Sequence, residues 1–202
     1  DRAYTWTDTD SKRSGFPDIV FSEDFGYEAW TQYLLSVPMY FVYRNGIYHD
    51  VAGKSFRDFM NGELEGFEGQ LPHMGDWADH MTTNFPEVRL KKYLEMRGTD
   101  GGPWRNLCAL PALWVGLLYD ADSQSAAWDL IKDWSIEEQE TLRNQVPIKG
   151  LATRFRKTSV QEISKEILAI ASTGLKKRAK LDASGNDESG FLETLRDIAE
   201  RG

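Results

Sequence analysis

Hydrophobic and polar positions change their spacing along the first half of the chain. In residues 24–37 the apolar side chains recur every three or four positions, which predicts an amphipathic helix. Residues 38–51 place aromatic and β-branched residues on both sides of the pair Asn45-Gly46, and this pattern predicts a β-hairpin with a two-residue turn. A later amphipathic segment predicts a short helix that is capped by Asp76.

A strict alternation runs through residues 88–98. Apolar residues occupy one set of alternate positions and polar residues the other, with Lys92 as the exception on the apolar side. Because successive side chains of a strand point to opposite faces, the spacing predicts one continuous strand with an apolar and a polar face. Glu95 and Arg97 then emerge on the same polar face, roughly 7 Å apart. Such a face is typical either of a sheet exposed to solvent or of a polar cleft, and the pattern leaves both open.

Helical patterns dominate the second half of the chain. Asp122 and Ser135 are predicted to cap two helices, and Glu138 completes a capping box with Ser135. The remaining helices are predicted at 103–119, near 158–180 and at 188–201. Antiparallel strands in the first half and helices in the second indicate an α+β fold. Within it we expect a strand-rich part over 1–102 and a helical part over 103–202.

Composition and charge narrow the classes of function. With 202 residues and 41% hydrophobic residues, the chain is long and apolar enough for a packed core. Its formal net charge of −8 gives no general attraction to nucleic acid, so we expect no such partner. The longest apolar run, 107–119, is shorter than the roughly 20 residues that cross a bilayer, so we also expect no membrane association. The single cysteine, Cys108, excludes an internal disulfide and favours an intracellular, cytoplasmic protein.

The polar face of residues 88–98 carries the clearest candidate chemistry. A carboxylate such as Glu95 can ligate Mg²⁺, and a planar guanidinium such as that of Arg97 can bind two phosphate oxygens at once. The face therefore fits either a surface exposed to solvent or a site for an anionic, metal-bearing ligand. The Gly-Thr-Asp-Gly-Gly stretch at 98–102 allows close backbone approach but lacks the spacing of a P-loop.

Four segments of the chain resemble one known family. They are FPEVRLKKYLEMRGTDGGPWRNLCALPALWVGLLYD at 85–120, WTDTDSKRSG at 6–15, FGYEAWTQYLLSVPMYFVYRNG at 25–46 and VPIKGLATRFR at 146–156. They resemble, in order, the plant and α-proteobacterial type of glutamate–cysteine ligase, and the resemblance covers essentially the whole chain. It implies the C-terminal part of a glutamine-synthetase-like carboxylate–amine ligase fold. It also implies ATP-dependent ligation of L-glutamate, through a γ-glutamyl phosphate, to L-cysteine, which is the first step of glutathione biosynthesis.

The resemblance also implies roles for individual residues. Glu95 of the LEMR motif is similar to a Mg²⁺ ligand, and Arg97 is similar to a residue that contacts the transferred phosphoryl group. Arg2 is similar to an arginine that holds the substrate glutamate. Tyr33 and Trp6 are similar to aromatic residues of the substrate pocket. The implied cofactors are ATP and Mg²⁺, and the implied substrates are glutamate, cysteine and ATP.

The chain departs from this family in two respects. Family members are much longer, and this chain begins at Asp1 rather than Met, so we expect a fragment whose missing N-terminal half completes the metal and nucleotide sites. In addition, Val51 and Gly66 stand where plant members carry a cysteine pair that can form a regulatory disulfide. Two alternatives stay open: a non-catalytic fragment or split half that needs its N-terminal partner, and a related ligase with another amine acceptor.

Overall fold

The computed structural model describes residues 2–201, without the side chain of Thr7, and separates two compact units. The first unit ends at Thr99 and the second begins at Asp100. The sequence predicted the change from a strand-rich to a helical part after residue 102, close to this boundary. That both units are parts of one ligase catalytic domain stays a prediction.

The first unit combines short helices with two-stranded sheets. Its helices are α1 (Arg2–Thr5), α2 (Tyr27–Ser36), α3 (Phe56–Met60) and α4 (Met74–Thr82). Its strands are β1 (Ser14–Gly15), β2 (Phe41–Arg44), β3 (Ile47–Asp50), β4 (Phe85–Pro86), β5 (Val88–Leu90) and β6 (Leu94–Met96). The β2–β3 and β5–β6 pairs are antiparallel, whereas β1 pairs with β4 in parallel. This mixture of helices and small sheets confirms the α+β class, although the parallel pair was not predicted.

Helix α2 and the hairpin β2–β3 form where the sequence predicts them. The helix buries Trp30 and Leu34 on one face. In the hairpin, Asn45 and Gly46 turn the chain with φ angles of 53° and 80°. A positive φ at both central positions is the requirement of a type I′ turn, which explains why this asparagine–glycine pair stands there.

The core of the first unit draws its side chains from α2, β2, α3 and the loops around them. Its buried members are Leu35, Met39, Val42, Val51, Phe56, Phe59, Leu64 and Phe67. Helix α4 packs Trp77 against this cluster. Asp76 was predicted as the N-cap of α4, and that position is wrong, because the helix begins at Met74 and His73 is the N-cap. Asp76 still takes part in the cap, since its carboxylate accepts a hydrogen bond of 2.8 Å from the backbone N–H of His73 and so completes a capping box. Asp76 also forms an ion pair with Arg44 of β2, and this pair connects α4 to the hairpin.

The predicted continuous strand over residues 88–98 is wrong. The chain folds back on itself, so that β5 and β6 form a hairpin in which Arg89 lies directly opposite Glu95. The expected burial of the two faces is also wrong in part, since Leu94 is 58% exposed whereas Arg89 is only 8% exposed. Cross-strand partners share a face of a sheet, so the hairpin keeps the acidic and basic side chains on one side.

The second unit is helical, as the sequence predicts. Its helices are α5 (Trp104–Leu118), α6 (Ala121–Ile131), α7 (Ile136–Lys149), α8 (Val160–Arg178) and α9 (Glu193–Arg201). A short antiparallel hairpin of β7 (Arg154–Phe155) and β8 (Thr158–Ser159) precedes α8. Within residues 2–201, no helix combines the length and the apolar character needed to cross a membrane.

Side-chain caps mark the starts of α6 and α7 in the second unit. Ser135 and Glu138 form the predicted capping box at the start of α7. The predicted cap Asp122 is wrong, because the Asp120 carboxylate caps α6 by accepting a hydrogen bond from the backbone N–H of Ser123. Asp120 serves better because it is the last residue with an extended backbone before the helix.

Helices α5 and α8 cross at a pair of glycines in the core of the second unit. A Cβ built on Gly174 would lie 2.0 Å from the carbonyl oxygen of Gly116, so the two backbones approach more closely than any other residue allows. The apolar side chains packed around the crossing include Leu117, Leu168, Leu175 and Leu192. This crossing fixes the two longest helices of the unit against each other.

Candidate functional site around Glu95

The carboxylate of Glu95 lies between two arginines of the first unit. Arg89, on the opposite strand of the hairpin, places Nε and Nη2 each 2.8 Å from Oε2 of Glu95. Arg97 places its Nη1 3.3 Å from the same oxygen. All of the hydrogen bonds that Glu95 makes with its side chain in the described part of the chain therefore use Oε2.

Arg89 is held from its other side by backbone carbonyl groups. Its Nη1 donates hydrogen bonds to the carbonyl oxygen of Thr82 at 2.9 Å and to that of Asn84 at 3.2 Å. These carbonyls come from the end of α4 and the residue just before β4. The sequence placed Arg89 on the polar face but assigned it no role, and the alternation gave no sign that it would be buried.

The electrostatic surroundings keep Glu95 ionised. Partial burial raises the pKa of the Glu95 carboxyl, but the hydrogen bonds and positive charges of Arg89 and Arg97 outweigh it and leave the pKa below its ordinary value. At neutral pH the group is therefore a carboxylate, which is the form that accepts hydrogen bonds and binds cations.

Arg97 lies beside two aromatic rings. Its guanidinium carbon is 6.0 Å from the ring centroid of Trp6 and 5.7 Å from that of Phe85. The two rings contact each other with centroids 6.0 Å apart, and the guanidinium carbon of Arg2 is 4.9 Å from the Trp6 ring. Trp6 thus lies close to two cationic side chains. Four of the residues singled out from the sequence meet in this region: Arg2, Trp6, Glu95 and Arg97.

Tyr33 joins this region indirectly. Its hydroxyl donates a hydrogen bond of 3.1 Å to Oδ1 of Asn84, and its ring packs on Trp30 with centroids 5.3 Å apart. Burial raises the pKa of the Tyr33 phenol, which keeps the hydroxyl protonated and able to donate. Because the backbone carbonyl of Asn84 also accepts from Arg89, a chain of hydrogen bonds links Tyr33 to Glu95.

The described residues offer part of a metal site. Oε1 of Glu95 has no hydrogen-bond partner within residues 2–201, so one carboxylate oxygen is available to a cation. Two buried polar atoms nearby in the chain, Oε2 of Glu87 and Nε of Arg97, also have no hydrogen-bond partner in the structure. Across the described residues there is, however, no group of three or more histidine, cysteine or acidic side chains placed to hold a metal ion. Glu95 therefore fits as one ligand, and a complete Mg²⁺ site requires additional oxygen atoms.

Arg13 is a buried arginine that the sequence analysis missed. It is 2% exposed, and its guanidinium lies over the ring of Tyr40 with 3.6 Å between the carbon and the ring centroid. Its hydrogen-bond acceptors are the Asp10 carboxylate and the carbonyl oxygens of Pro38 and Thr83. Arg13 therefore anchors the WTDTDSKRSG segment next to the site. A single arginine in a turn-rich segment carries no periodicity from which burial could have been predicted.

Comparison with known proteins gives a family for the whole chain. The family model described as Glutamate-cysteine ligase family 2 (GCS2) matches residues 1–202. A glutamate–cysteine ligase A, chloroplastic, of Oryza sativa subsp. indica is 54% identical over 194 residues, which are 96% of this chain and 38% of the rice protein. Chloroplastic glutamate–cysteine ligases of Nicotiana tabacum and Arabidopsis thaliana are each 50% identical over 201 residues, 100% of this chain and 37% of each relative.

Two consequences follow from these relatives. The chain spans about 38% of the length of the curated relatives it matches. That it corresponds to their C-terminal part stays a prediction. The prediction of a cytoplasmic protein is wrong, because the relatives are named chloroplastic. A low cysteine count reports on redox conditions and does not distinguish one reducing compartment from another. With its full length matched by one family model, the chain belongs to the Glutamate-cysteine ligase family 2.

Proposed function

We propose that the intact protein uses ATP to join L-glutamate to L-cysteine and so makes γ-glutamylcysteine, the first step of glutathione biosynthesis. The observation that carries this proposal is the family match over residues 1–202. Relatives named glutamate–cysteine ligase, with sequence identities of 54% and 50%, support it. The proposal concerns the whole protein, since this chain spans only 38% of the rice relative. We propose the glutamine-synthetase-like carboxylate–amine ligase fold for the same whole protein.

The reaction divides into two transfers. In the first, a γ-carboxylate oxygen of glutamate attacks the γ-phosphorus of ATP, the bond to the bridging oxygen breaks, and ADP leaves. In the second, the amine of cysteine attacks the acyl carbon, the bond to the phosphate oxygen breaks, and phosphate leaves while the amine loses a proton. Both transfers demand that anionic groups be brought together and that their negative charge be neutralised.

The arginines and aromatic residues around Glu95 suit this demand. We propose that Arg97 contacts the transferred phosphoryl group, since a guanidinium matches the geometry of phosphate oxygens and carries a permanent charge. Arg2 binds the substrate glutamate, and Trp6, which lies against both arginines, lines the pocket. Tyr33 is proposed for the same pocket, supported by its link to Asn84.

Glu95 is proposed as one Mg²⁺ ligand. Its ionised carboxylate and its Oε1, which has no hydrogen-bond partner within residues 2–201, support this assignment, and further oxygen ligands are needed to complete the site. When bound, Mg²⁺ supplies positive charge to phosphate oxygens. Arg89 and Arg97 balance the carboxylate while no cation is bound.

The test is ADP release by the intact protein in the presence of glutamate, cysteine and MgATP. We expect turnover that stops when either amino acid is left out. Arg97→Ala is expected to lower turnover by about 10²- to 10³-fold, because the transferred charge loses a preorganised donor. Lys91→Ala, on the exposed turn of the same hairpin, is the matched control and should keep turnover within about twofold of the unmodified protein.

The outcomes separate the alternatives. Well-folded protein that releases ADP with glutamate and a different amine, but not with cysteine, would identify another acceptor. Full activity of Arg97→Ala would remove this residue from the site.

A second proposal concerns the 202-residue chain by itself, which we infer to be inactive without the rest of the enzyme. The incomplete set of metal-binding groups and the 38% coverage support it. Calorimetry of the isolated chain with MgATP is expected to show no tight binding. Tight binding with ADP release would show that the chain is sufficient.

A further inference from the structure

Arg89 is the buried arginine that grips Glu95 most firmly, and we propose that it is a positioning residue that holds the Glu95 carboxylate for metal binding. This inference rests on the proposed role of Glu95 as a Mg²⁺ ligand. It concerns a residue that does not itself contact the metal or the substrates. Outer partners of metal ligands generally fix the orientation of the ligand and so affect metal affinity.

The two arginines contact Oε2 of Glu95 in different ways. Arg89 contacts this oxygen through two nitrogens at 2.8 Å each, whereas Arg97 contacts it through one nitrogen at 3.3 Å. Arg97 can therefore turn from Glu95 to a phosphate oxygen while Arg89 keeps the carboxylate in place. Because both arginines use Oε2, the carboxylate is oriented with Oε1 left for a cation.

Arg89 is itself well anchored. Its side chain is nearly buried, and the carbonyl oxygens of Thr82 and Asn84 fix the far side of its guanidinium. Asn84 is also buried and accepts a hydrogen bond from Tyr33. A planar group with donors on several edges can satisfy the two carbonyls and the carboxylate together, which the single ammonium group of a lysine cannot do with the same geometry.

The sign of the effect distinguishes positioning from simple charge. Arg89 is a cation next to a proposed cation site, so removing its charge alone would strengthen metal binding. Losing the orientation of Glu95 would instead weaken it. A weaker metal complex after loss of Arg89 can therefore not be explained by charge.

The experiment titrates the intact protein with Mn²⁺ alone and follows the free ion by electron paramagnetic resonance. Arg89→Met is expected to weaken Mn²⁺ binding by roughly 10- to 100-fold. If Arg89→Met does not fold, Arg89→Lys, which keeps the positive charge, tests the positioning role in its place. We expect it to bind Mn²⁺ at least threefold more weakly than the unmodified protein. Lys91→Met, which removes a positive charge from the exposed turn of the same hairpin, is the control and should leave the affinity unchanged or slightly higher.

Glu95→Gln separates this inference from the proposed function. If Glu95→Gln leaves Mn²⁺ affinity unchanged, Glu95 is not a ligand, and the proposed metal role fails together with the inference. If Glu95→Gln weakens binding while a folded Arg89→Met or Arg89→Lys binds Mn²⁺ as tightly as the unmodified protein or more tightly, the positioning role alone is refuted. Circular dichroism and the midpoint of thermal unfolding establish that each variant is folded.

Discussion

The crossing of α5 and α8 gives a sharp prediction for stability. Gly174→Ala adds a methyl group whose carbon would lie 2.0 Å from the carbonyl oxygen of Gly116, about an ångström closer than real contacts of this kind allow. The obstacle is backbone rather than a flexible side chain, so the helices must move apart and lose packing along their contact. Overpacking of a core costs about 1–3 kcal/mol and more where the backbone is the obstacle. The gain in helix propensity from glycine to alanine, about 1 kcal/mol, opposes it.

We therefore expect Gly174→Ala to lower the free energy of unfolding by about 2–3 kcal/mol. The thermal midpoint of a chain of this size shifts by roughly 2–4 °C per kcal/mol, so the midpoint should fall by about 4–12 °C. Urea denaturation of the 202-residue chain, followed by circular dichroism, measures the first quantity. Gly190→Ala is the matched control, because a Cβ there meets no heavy atom within 4 Å, and it should stay within about 0.5 kcal/mol.

A double variant tests whether the crossing is the cause. A Cβ on Gly116 would lie 2.3 Å from the carbonyl oxygen of Ala171, so Gly116→Ala should also be destabilising. Both methyl groups are relieved by the same separation of α5 and α8, so the double variant should lose less than the sum of the two single losses. Equal stability of Gly174→Ala and Gly190→Ala would refute the close approach of the two backbones.

Three further predictions concern charges and turns. Burial raises the pKa of Asp76, but the hydrogen bonds from Arg44 and the backbone of His73 leave it below its ordinary value. The resulting stabilisation is complete above the unfolded pKa of about 3.9 and is lost as the pH falls through the lower, folded pKa. Asp76→Asn should therefore cost about 3 kcal/mol by urea denaturation at pH 7, and this cost should shrink as the pH is lowered below about 3.9. Gly46→Val, at a φ of 80°, should cost about 1–2 kcal/mol in the same assay. The hydrogen bond from Arg156 lowers the pKa of Glu138 to about 2, and carboxyl ¹³C NMR should show it rising towards its ordinary value in Arg156→Met.

Local chemistry explains the parts of the fold that the sequence predicts. The Asn45-Gly46 turn and the capping box of Ser135 and Glu138 depend on residues within a few positions of each other, so a single sequence contains all of the information. The caps of α4 and α6 were misplaced by a few residues, since several neighbouring residues can each accept the first hydrogen bonds of a helix.

The hairpin over residues 88–98 shows why periodicity can mislead. In the antiparallel pair, Arg89 lies opposite Glu95 and Leu90 opposite Leu94, and partners share a face. A continuous strand puts the same residues on the same two faces, so both structures fit one alternation. The turn itself, Lys91 to Tyr93, contains neither glycine nor proline to reveal it. The alternation of apolar and polar residues could thus be predicted from the sequence. The reversal of the chain direction, and with it the burial of Arg89, could not.

The candidate site depends on one long-range pairing that no local pattern encodes. Ser14 of β1 pairs with Phe85 of β4, and the Arg13 guanidinium donates a hydrogen bond to the carbonyl of Thr83. The segment after Trp6 is therefore held next to Thr82 and Asn84, whose carbonyls bind Arg89. The resemblance could name Trp6 and Arg97 separately, but the parallel pair is what brings their side chains together. Buried Arg13 consequently influences the site without contacting Glu95, because it holds the N-terminal segment in register with β4. The geometry of the proposed substrate pocket is therefore set by a strand pair of two residues and one buried guanidinium rather than by the hairpin alone.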